Sequence, residues 1–538
     1  MTGFVTTAID YPNALPHIGT AFEKIGADAY VRFLRFQRYG AYFSMGNDEN
    51  TVKVVKVAKE KGVECKAYVD EMATAFQSVW NSLDISNDDF IQTSEERHHR
   101  GVRLFLEAVH AAGYIEKRPY KALYCEGCEE FKTPNSLENG VCPNHKNTPL
   151  LQREEENWFF LLSKFKQRIL NLIASGEFKI QPECRLNEMK KFIESDLDDI
   201  SISRHNEGWG IPIPWDETQV TYVWFDALLN YLTVIGFGSD WEKFDKHWPP
   251  EVHVVGKDIA RFHCAMFPAM LMAYNEGCKL LPGPSHELQP VFPERVFAHG
   301  FVYERKGDQF VKSSKSGNGL KPMELVDRFG ADAYRYYFLA KFNFGGDGDY
   351  SLDHFEQVYN SDLANSLGNL VSRTVAMTQQ YFDGVLPIGD LTKNDWLTYE
   401  AVEDYAAHIE AFEFKQALEL VWKIISDANQ HIDTMKPWSL AKTDKDLCAK
   451  TLRSLVVCLK TVGMMLTPFM PSTAEKIYSV FQWKDSWDKV RFDFLEKMSA
   501  YEGMSDKNEI ALEGLKEIAI NPAALENGKC PILFPRIK

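Results

Sequence analysis

Three groups of residues in this chain have the types and spacing to do chemistry. Pro16-His17-Ile18-Gly19-Thr20 and Lys312-Ser313-Ser314-Lys315-Ser316 each set polar or cationic side chains among small residues. An imidazole beside the open amides of a helix start offers donors to phosphate. Two ammonium groups on a loop flanked by Gly307, Gly317 and Gly319 can close over a triphosphate. Together these segments read as two halves of one ATP site. The second group is Cys125-x-x-Cys128 with Cys142-x-x-His145, two chelating pairs separated by a turn-rich stretch. Four such ligands suit tetrahedral zinc in a closed, structural site with no coordination position left for catalysis. A disulfide pair is the competing reading, and no secretory feature favours it. The third group is Asp48 and Asp258, each following an apolar segment. Burying a carboxylate unpaired is costly, so each implies a polar cleft. Trp224 and Tyr231, by themselves, read as core aromatics.

These residues need elements to hold them. The alternating run 4–9 reads as a strand, and residues 21–39 are apolar at helical spacing through Phe22, Ile25, Ala29, Phe33 and Phe36 before Gly40. His17 thus sits on a strand–loop–helix unit. Segments 222–228 and 254–263 each have a strand-like start. Beyond Tyr350 the pattern is helical, with runs at 362–381, 402–434 and 447–466, so a bundle is expected there. On the first run Asn365, Asn369 and Arg373 line one face while Leu363, Leu367 and Leu370 point the other way. The stretch 274–293, rich in Pro and Gly, reads as a surface loop.

At 538 residues with 45% hydrophobic and 25% charged, the chain has material for roughly three or four domains. Its net charge of −16 argues against nonspecific coating of nucleic acid, which depends on phosphate neutralisation. Local basic groups such as Arg97-His98-His99-Arg100 still leave room for an RNA contact. No membrane segment or signal peptide is visible, so reduced thiols and a cytoplasmic location are expected. Cys65, Cys184, Cys264, Cys278, Cys448, Cys458 and Cys530 read as buried small residues. Nothing marks a dimerisation module, and a monomer is expected.

The two phosphate-type segments resemble the signature motifs of class I aminoacyl-tRNA synthetases, His-Ile-Gly-His and Lys-Met-Ser-Lys-Ser, with Thr20 and Ser313 departing from them. Residues 222–263 narrow the resemblance to the methionyl-tRNA synthetase family, and it extends over essentially the whole chain. The resemblance implies an α/β fold. Its parts are a split Rossmann-like nucleotide-binding domain (1–115 and 220–300), an inserted connective domain with a zinc knuckle (116–219), a linking segment with the second signature loop (301–355) and an α-helical anticodon-binding domain (356–538). It implies a methionine pocket at Ala8, Ile9, Tyr11, Asp48, Arg204, Trp224, Ala227, Leu228, Tyr231, Ile259, Phe262 and His263. Aromatic and aliphatic walls suit a thioether, and a carboxylate at Asp48 would orient the substrate ammonium. ATP contacts are implied at His17, Gly19, Gly256, Asp258, His299, Gly300, Lys312 and Lys315, with His17, Thr20, Lys312 and Lys315 catalytic. Mg2+ would accompany the triphosphate, and one structural Zn2+ would bind Cys125, Cys128, Cys142 and His145. Asn365, Asn369, Arg373 and Trp438 would contact the CAU anticodon of tRNA(Met). Asn50 is a third departure, at a position where the family has histidine. The implied reaction is methionine activation by ATP followed by transfer to tRNA. Thr20, Asn50 and Ser313 keep open a weakened synthetase-like paralogue that binds RNA or amino acid, and a class I enzyme of other specificity is the remaining alternative.

Overall fold

In this computed structural model residues 3–537 are described, apart from 38–39, 128–129, 133–136, 138, 144, 147, 283–285, 307–308, 313–320, 393–398 and 491–515. The chain divides into two compact units: Met1–Leu15, Tyr42–Gln77 and Asn87–Ala298 in the first, and Pro16–Ala41, Ser78–Ser86 and His299–Lys538 in the second.

The first unit is organised by a six-stranded sheet in the order Asp89–Gln92, Ala41–Asn47, Gly3–Thr7, Val252–Gly256, Arg295–His299, Lys179–Gln181. Val5 pairs with Val252, Met45 with Phe90 and Val296 with Ile180, all in parallel. Strands of a parallel sheet are covered on both faces, and Val252–Gly256 is accordingly buried along its whole length. The first strand lies between the second in sequence and one that follows 245 residues later, at Val252. The strand order therefore reverses at Gly3–Thr7, and a crevice at the carboxyl ends beside such a reversal is where open α/β sheets bind ligands.

Two helices back this sheet region. Glu96–Ala111 and Phe267–Gly277 approach so closely that a Cβ on Gly277 would stand 1.7 Å from the Ala108 carbonyl oxygen. Phe105 stacks on Tyr274 between them at 4.9 Å. An antiparallel sheet joins Glu130–Lys132, Ile115–Cys125, Leu151–Phe160 and Ile200–Ser201, with Ile115 opposite Phe160 and Tyr124 opposite Leu151. Cys125 thus ends a long paired strand.

The second unit begins with helix Ile18–Phe36 and continues with the hairpin Val302–Lys306 and Gln309–Lys312, followed by helices. Asn369–Phe382, Phe414–Met435 and Lys445–Leu466 pack together as a bundle. The expected run 402–434 is two helices, Tyr399–Glu410 and Phe414–Met435, because Phe412 turns the chain at φ 59° and stacks on Tyr30. The run 362–381 likewise opens as a π-helix, Tyr359–Gly368, before becoming α-helical at Asn369. Nor is 274–293 simply a loop: Tyr274 is buried on a helix, and Asn275 exchanges hydrogen bonds with the backbone of buried Leu288. The Arg97–Arg100 group is not a basic face, since Arg97 forks onto Asp89 and His98 is buried against Thr233. Cys184 is exposed, against expectation. No helix among the described residues is long and apolar enough to cross a membrane.

Candidate active site

Loops leaving the sheet are pinned to one another. The Ala8 amide donates to Val254 O at 3.2 Å, Asp10 N to Gly46 O at 3.0 Å and Asp48 N to Asp10 O at 2.9 Å. Asp48 is thereby set at a strand end and is only 3% exposed. The chain then enters helix Val52–Lys61, capped by Thr51, whose side chain accepts from Val54 N. Asn50 donates to Thr93 O at 3.1 Å and to Asp226 Oδ2 at 3.0 Å. Burial holds the Asp226 carboxyl well above its usual range, against the Asn50 bond.

Several of the expected pocket residues share one core. Ala8, Leu228, Tyr231 and Phe262 belong to one apolar cluster, with Ile9, Trp224 and Ile259 packed against it, and Ala227 is buried. Trp224 and Phe262 stack face to face at 3.8 Å and 9°. Phe262–Met266 is a single π-helical stretch leading into helix Phe267–Gly277, and it sets His263 under that cluster's aromatic residues. His263 Nδ1 donates to Ile259 O at 3.1 Å, so Nε2 accepts the Tyr231 hydroxyl at 2.7 Å. Behind Tyr231 lies His253, its ring 4.2 Å away and its Nδ1 2.6 Å from Thr6 Oγ1. Burial first, and then the nearby His263, push His253 well below the usual histidine range. Tyr11 lies under Lys53 at 5.4 Å. Arg204 donates to Ser201 Oγ at 2.9 Å and Ser203 O at 2.7 Å, and lies over the Tyr222 ring at 4.0 Å. It lines a cavity of about 550 Å³ with Asn50, Lys53, Trp209 and Tyr222. Gly256 ends its strand, and Asp258 is exposed just beyond it.

His17 is the N-cap of helix Ile18–Phe36. His17 Nδ1 accepts from Thr20 N at 3.1 Å, while Thr20 Oγ1 accepts from His17 N at 2.9 Å and donates to His17 O at 2.7 Å. The one hydroxyl proton of Thr20 thus goes to the His17 carbonyl. His299 contacts the same helix through Glu23 at 2.9 Å and turns Nδ1 to Gly300 O at 2.7 Å. Lys312 ends the hairpin, with its backbone opposite Tyr303. Lys315 and Ser313 lie outside the described residues.

Cys125, Cys142 and His145 bring their donor atoms within 4.8 Å of one another, with His145 Nδ1 at 3.8 and 3.9 Å from the two sulfurs. A tetrahedral zinc with its ordinary bond lengths separates S and N ligands by about 3.6 Å, so these three donors fit the ion. Gly127 permits the approach, since a Cβ there would stand 2.5 Å from the His145 ring. Cys128 lies outside the described residues.

On the bundle Asn365 and Asn369 are exposed, Leu363, Leu367 and Leu370 are buried, and Arg373 reaches Asp433 at 2.7 Å. Trp438, 42% exposed, is the second residue of helix Pro437–Thr443, which packs against Asn369–Phe382.

Sequence reasoning passed over Asp226, His253 and Glu49. Asp226 and His253 each had a legible signal, a lone polar residue inside a buried apolar segment, whereas Glu49 stands in the polar run 47–51.

Strand order and signature residues define a class I aminoacyl-tRNA synthetase: the family described as class I tRNA synthetases (M) matches residues 3–149 and 132–375. The anticodon-binding domain of methionyl tRNA ligase matches residues 393–509. A methionine–tRNA ligase of Clostridium acetobutylicum is 40% identical over 510 residues, 93% of this chain and 75% of its own length. One of Streptomyces coelicolor is 37% identical over 494 residues, 88% of each. Methionyl-tRNA synthetase of Mycobacterium tuberculosis in complex with methionyl-adenylate superposes with a TM-score of 0.83 at 33% identity, over 92% of this chain and 96% of that one. The chain belongs to the methionine–tRNA ligase family, with a Rossmann-like catalytic fold and a helical anticodon region.

Proposed function

We propose that this chain joins methionine to tRNA(Met) in two steps. First, an oxygen of the methionine carboxylate attacks the α-phosphorus of ATP, the bond to the bridging oxygen breaks, and pyrophosphate leaves with the electron pair. A ribose hydroxyl at the tRNA 3′ end then attacks the activated carbonyl carbon, loses its proton, and AMP departs. Neither step needs a protein nucleophile. Alignment and stabilisation of charge on the phosphate oxygens carry the first.

Asp48 holds the substrate ammonium, and Arg204 its carboxylate. The side chain lies among Ala8, Ile9, Tyr11, Trp224, Ala227, Leu228, Tyr231, Ile259, Phe262 and His263. Gly19, Gly256, Asp258, His299 and Gly300 serve the nucleotide, and His17, Lys312 and Lys315 its phosphates. Mg2+ would accompany ATP and offset the charge on its phosphates. Zinc, when bound, is held by Cys125, Cys128, Cys142 and His145 and braces the inserted sheet. Asn365, Asn369, Arg373 and Trp438 read the anticodon by base-edge bonds and stacking.

The observation that carries this reading is the Tyr231–His263 bond, set in the same apolar cluster as the Trp224–Phe262 stack. It supplies a polarisable box with one fixed polar pair for an unbranched thioether. Amino-acid-dependent ATP–pyrophosphate exchange, screened over all the protein amino acids, tests it. Methionine gives signal and the others do not; exchange with a different amino acid, or with none, overturns it.

A further inference from the structure

Thr20 stands where the family's first signature motif has its second histidine, and a hydroxyl there looks at first like a weaker phosphate donor. Its hydrogen bonds exclude that. A threonine hydroxyl has one proton, and here it lies on His17 O at 2.7 Å. The same oxygen accepts from His17 N at 2.9 Å, so the threonine and the histidine close a reciprocal cap at the helix start.

The other arm of that cap fixes the imidazole. The Thr20 amide can only donate, and it points at His17 Nδ1 at 3.1 Å. A ring nitrogen that accepts carries no proton, so the imidazole proton is on Nε2, at the opposite side of the ring. The backbone of His17, extended at φ −106° and ψ 171°, is held by the two hydroxyl bonds in the conformation that lets the ring reach that amide. An imidazolium would have to give up the amide bond and would face the positive end of the helix dipole. His17 is thereby presented as a neutral donor with fixed direction.

We infer that Thr20 is a positioning residue: it locks His17 in its backbone conformation and as the Nε2–H tautomer, the form that donates to a phosphate oxygen, and does not itself touch the nucleotide. This rests on the proposed role of His17 at the phosphates. It also explains how the motif tolerates losing its second imidazole, since the residue present acts through the first.

The test compares Thr20→Ser, which keeps all three bonds, with Thr20→Val, which has the same shape and loses two of them. In the full-length protein labelled with 15N-histidine, the His17 ring is assigned by difference against His17→Gln. Parent and Thr20→Ser give the Nε2–H pattern, with Nδ1 shifted as an unprotonated acceptor, while Thr20→Val, which frees the His17 backbone and so lets the ring leave the residue-20 amide, gives averaged tautomers. In pyrophosphate exchange Thr20→Ser stays within about 3-fold of the parent, and Thr20→Val loses roughly 10- to 100-fold in kcat with the KM for methionine unchanged, as misplacing one catalytic donor does. An averaged His17 ring in the parent overturns the inference, as does Thr20→Val with parental kcat or Thr20→Ser as slow as Thr20→Val. Failure of the proposed function is separate: it would show as no exchange in the parent, while the ring signature is read without activity.

Discussion

The Asp28 carboxylate and the Arg335 guanidinium, neither of them exposed, meet at 2.7 Å. Asp28 lies on the helix that His17 caps and also binds Arg32 at 2.8 Å and Ser86 through N and Oγ at 2.8 and 2.6 Å. Arg335 donates to Pro468 O at 2.9 Å and Phe469 O at 3.0 Å. This one guanidinium therefore ties the signature helix to the segment that follows helix Lys445–Leu466.

Burial alone would raise the Asp28 carboxyl, but Arg32, Arg335 and the Ser86 bonds outweigh it and hold it at about 2. Arg335→Met removes a buried partner and leaves three carbonyls, of Leu83, Pro468 and Phe469, and much of the Asp28 charge uncompensated. The expected loss is about 3–5 kcal/mol, read from the urea midpoint. The Asp28→Leu/Arg335→Met double variant should regain more than half of it, because an apolar pair leaves no charge behind. A single variant as stable as the parent would mean that Arg32 alone balances Asp28.

Glu49 predicts a pH dependence. It is fully buried, and burial pushes its carboxyl up to about 7 against bonds from Ser94 and Gln92. Unfolded, it returns to the ordinary 4.5. Between these values the folded chain keeps a proton that the unfolded chain has released. The stabilisation is therefore full below pH 4.5 and is lost as pH rises toward 7. Relative to Glu49→Gln, the parent should lose on the order of 3 kcal/mol across that window. Parallel stability curves for the two proteins would remove Glu49 from the account.

Tyr231→Phe leaves His263 Nε2 buried without its hydroxyl donor. An orphaned buried acceptor costs about 1–3 kcal/mol of folding stability, and with the fixed polar pair gone the KM for methionine should rise. Norleucine, which replaces sulfur by a methylene, should lose less, and discrimination between the two should narrow. Equal losses for both amino acids would place the hydroxyl in structure alone.

Much of this was legible in the sequence because the signals were local. The strand before His17, the helix after it and the Leu363–Leu367–Leu370 stripe each follow from residue type and spacing within one element. What escaped lies in backbone shifts that side-chain periodicity does not encode. The π-helical stretch at Phe262–Met266 and the turn at Phe412 each depend on packing from distant segments. The bonds of Thr20 escaped for a different reason: a motif read by position does not say which atoms its hydroxyl meets, and here they belong to the residue three before it. Asn50 is similar, since its partner Asp226 is 176 residues away.

The knuckle predicts a metal-dependent element. One zinc per chain is expected by elemental analysis, and Cys142→Ala should lose it together with the fold of the strand that ends at Cys125. Protease cutting between residues 125 and 150 would report this. Gly127→Ala should weaken zinc retention without removing a ligand, because its new methyl group meets the His145 ring. Full zinc content in Cys142→Ala would exclude this site.

Trp438 separates the two chemical steps. Lys436 ends the long helix Phe414–Met435 in a left-handed turn, and buried Pro437 opens the next helix, so the indole that follows is carried on rigid backbone yet remains exposed. A large exposed ring held this way contributes little to the core and offers a face on which a base can stack. Trp438→Ala should therefore activate methionine at the parental rate. Base–aromatic stacking is worth about 1–3 kcal/mol, so the kcat/KM for charging tRNA should fall about 10- to 100-fold, with little change in unfolding midpoint. Restoration by Trp438→Phe would assign the effect to the ring face, and an equal fall in activation and charging would assign it to the fold of the helices around it.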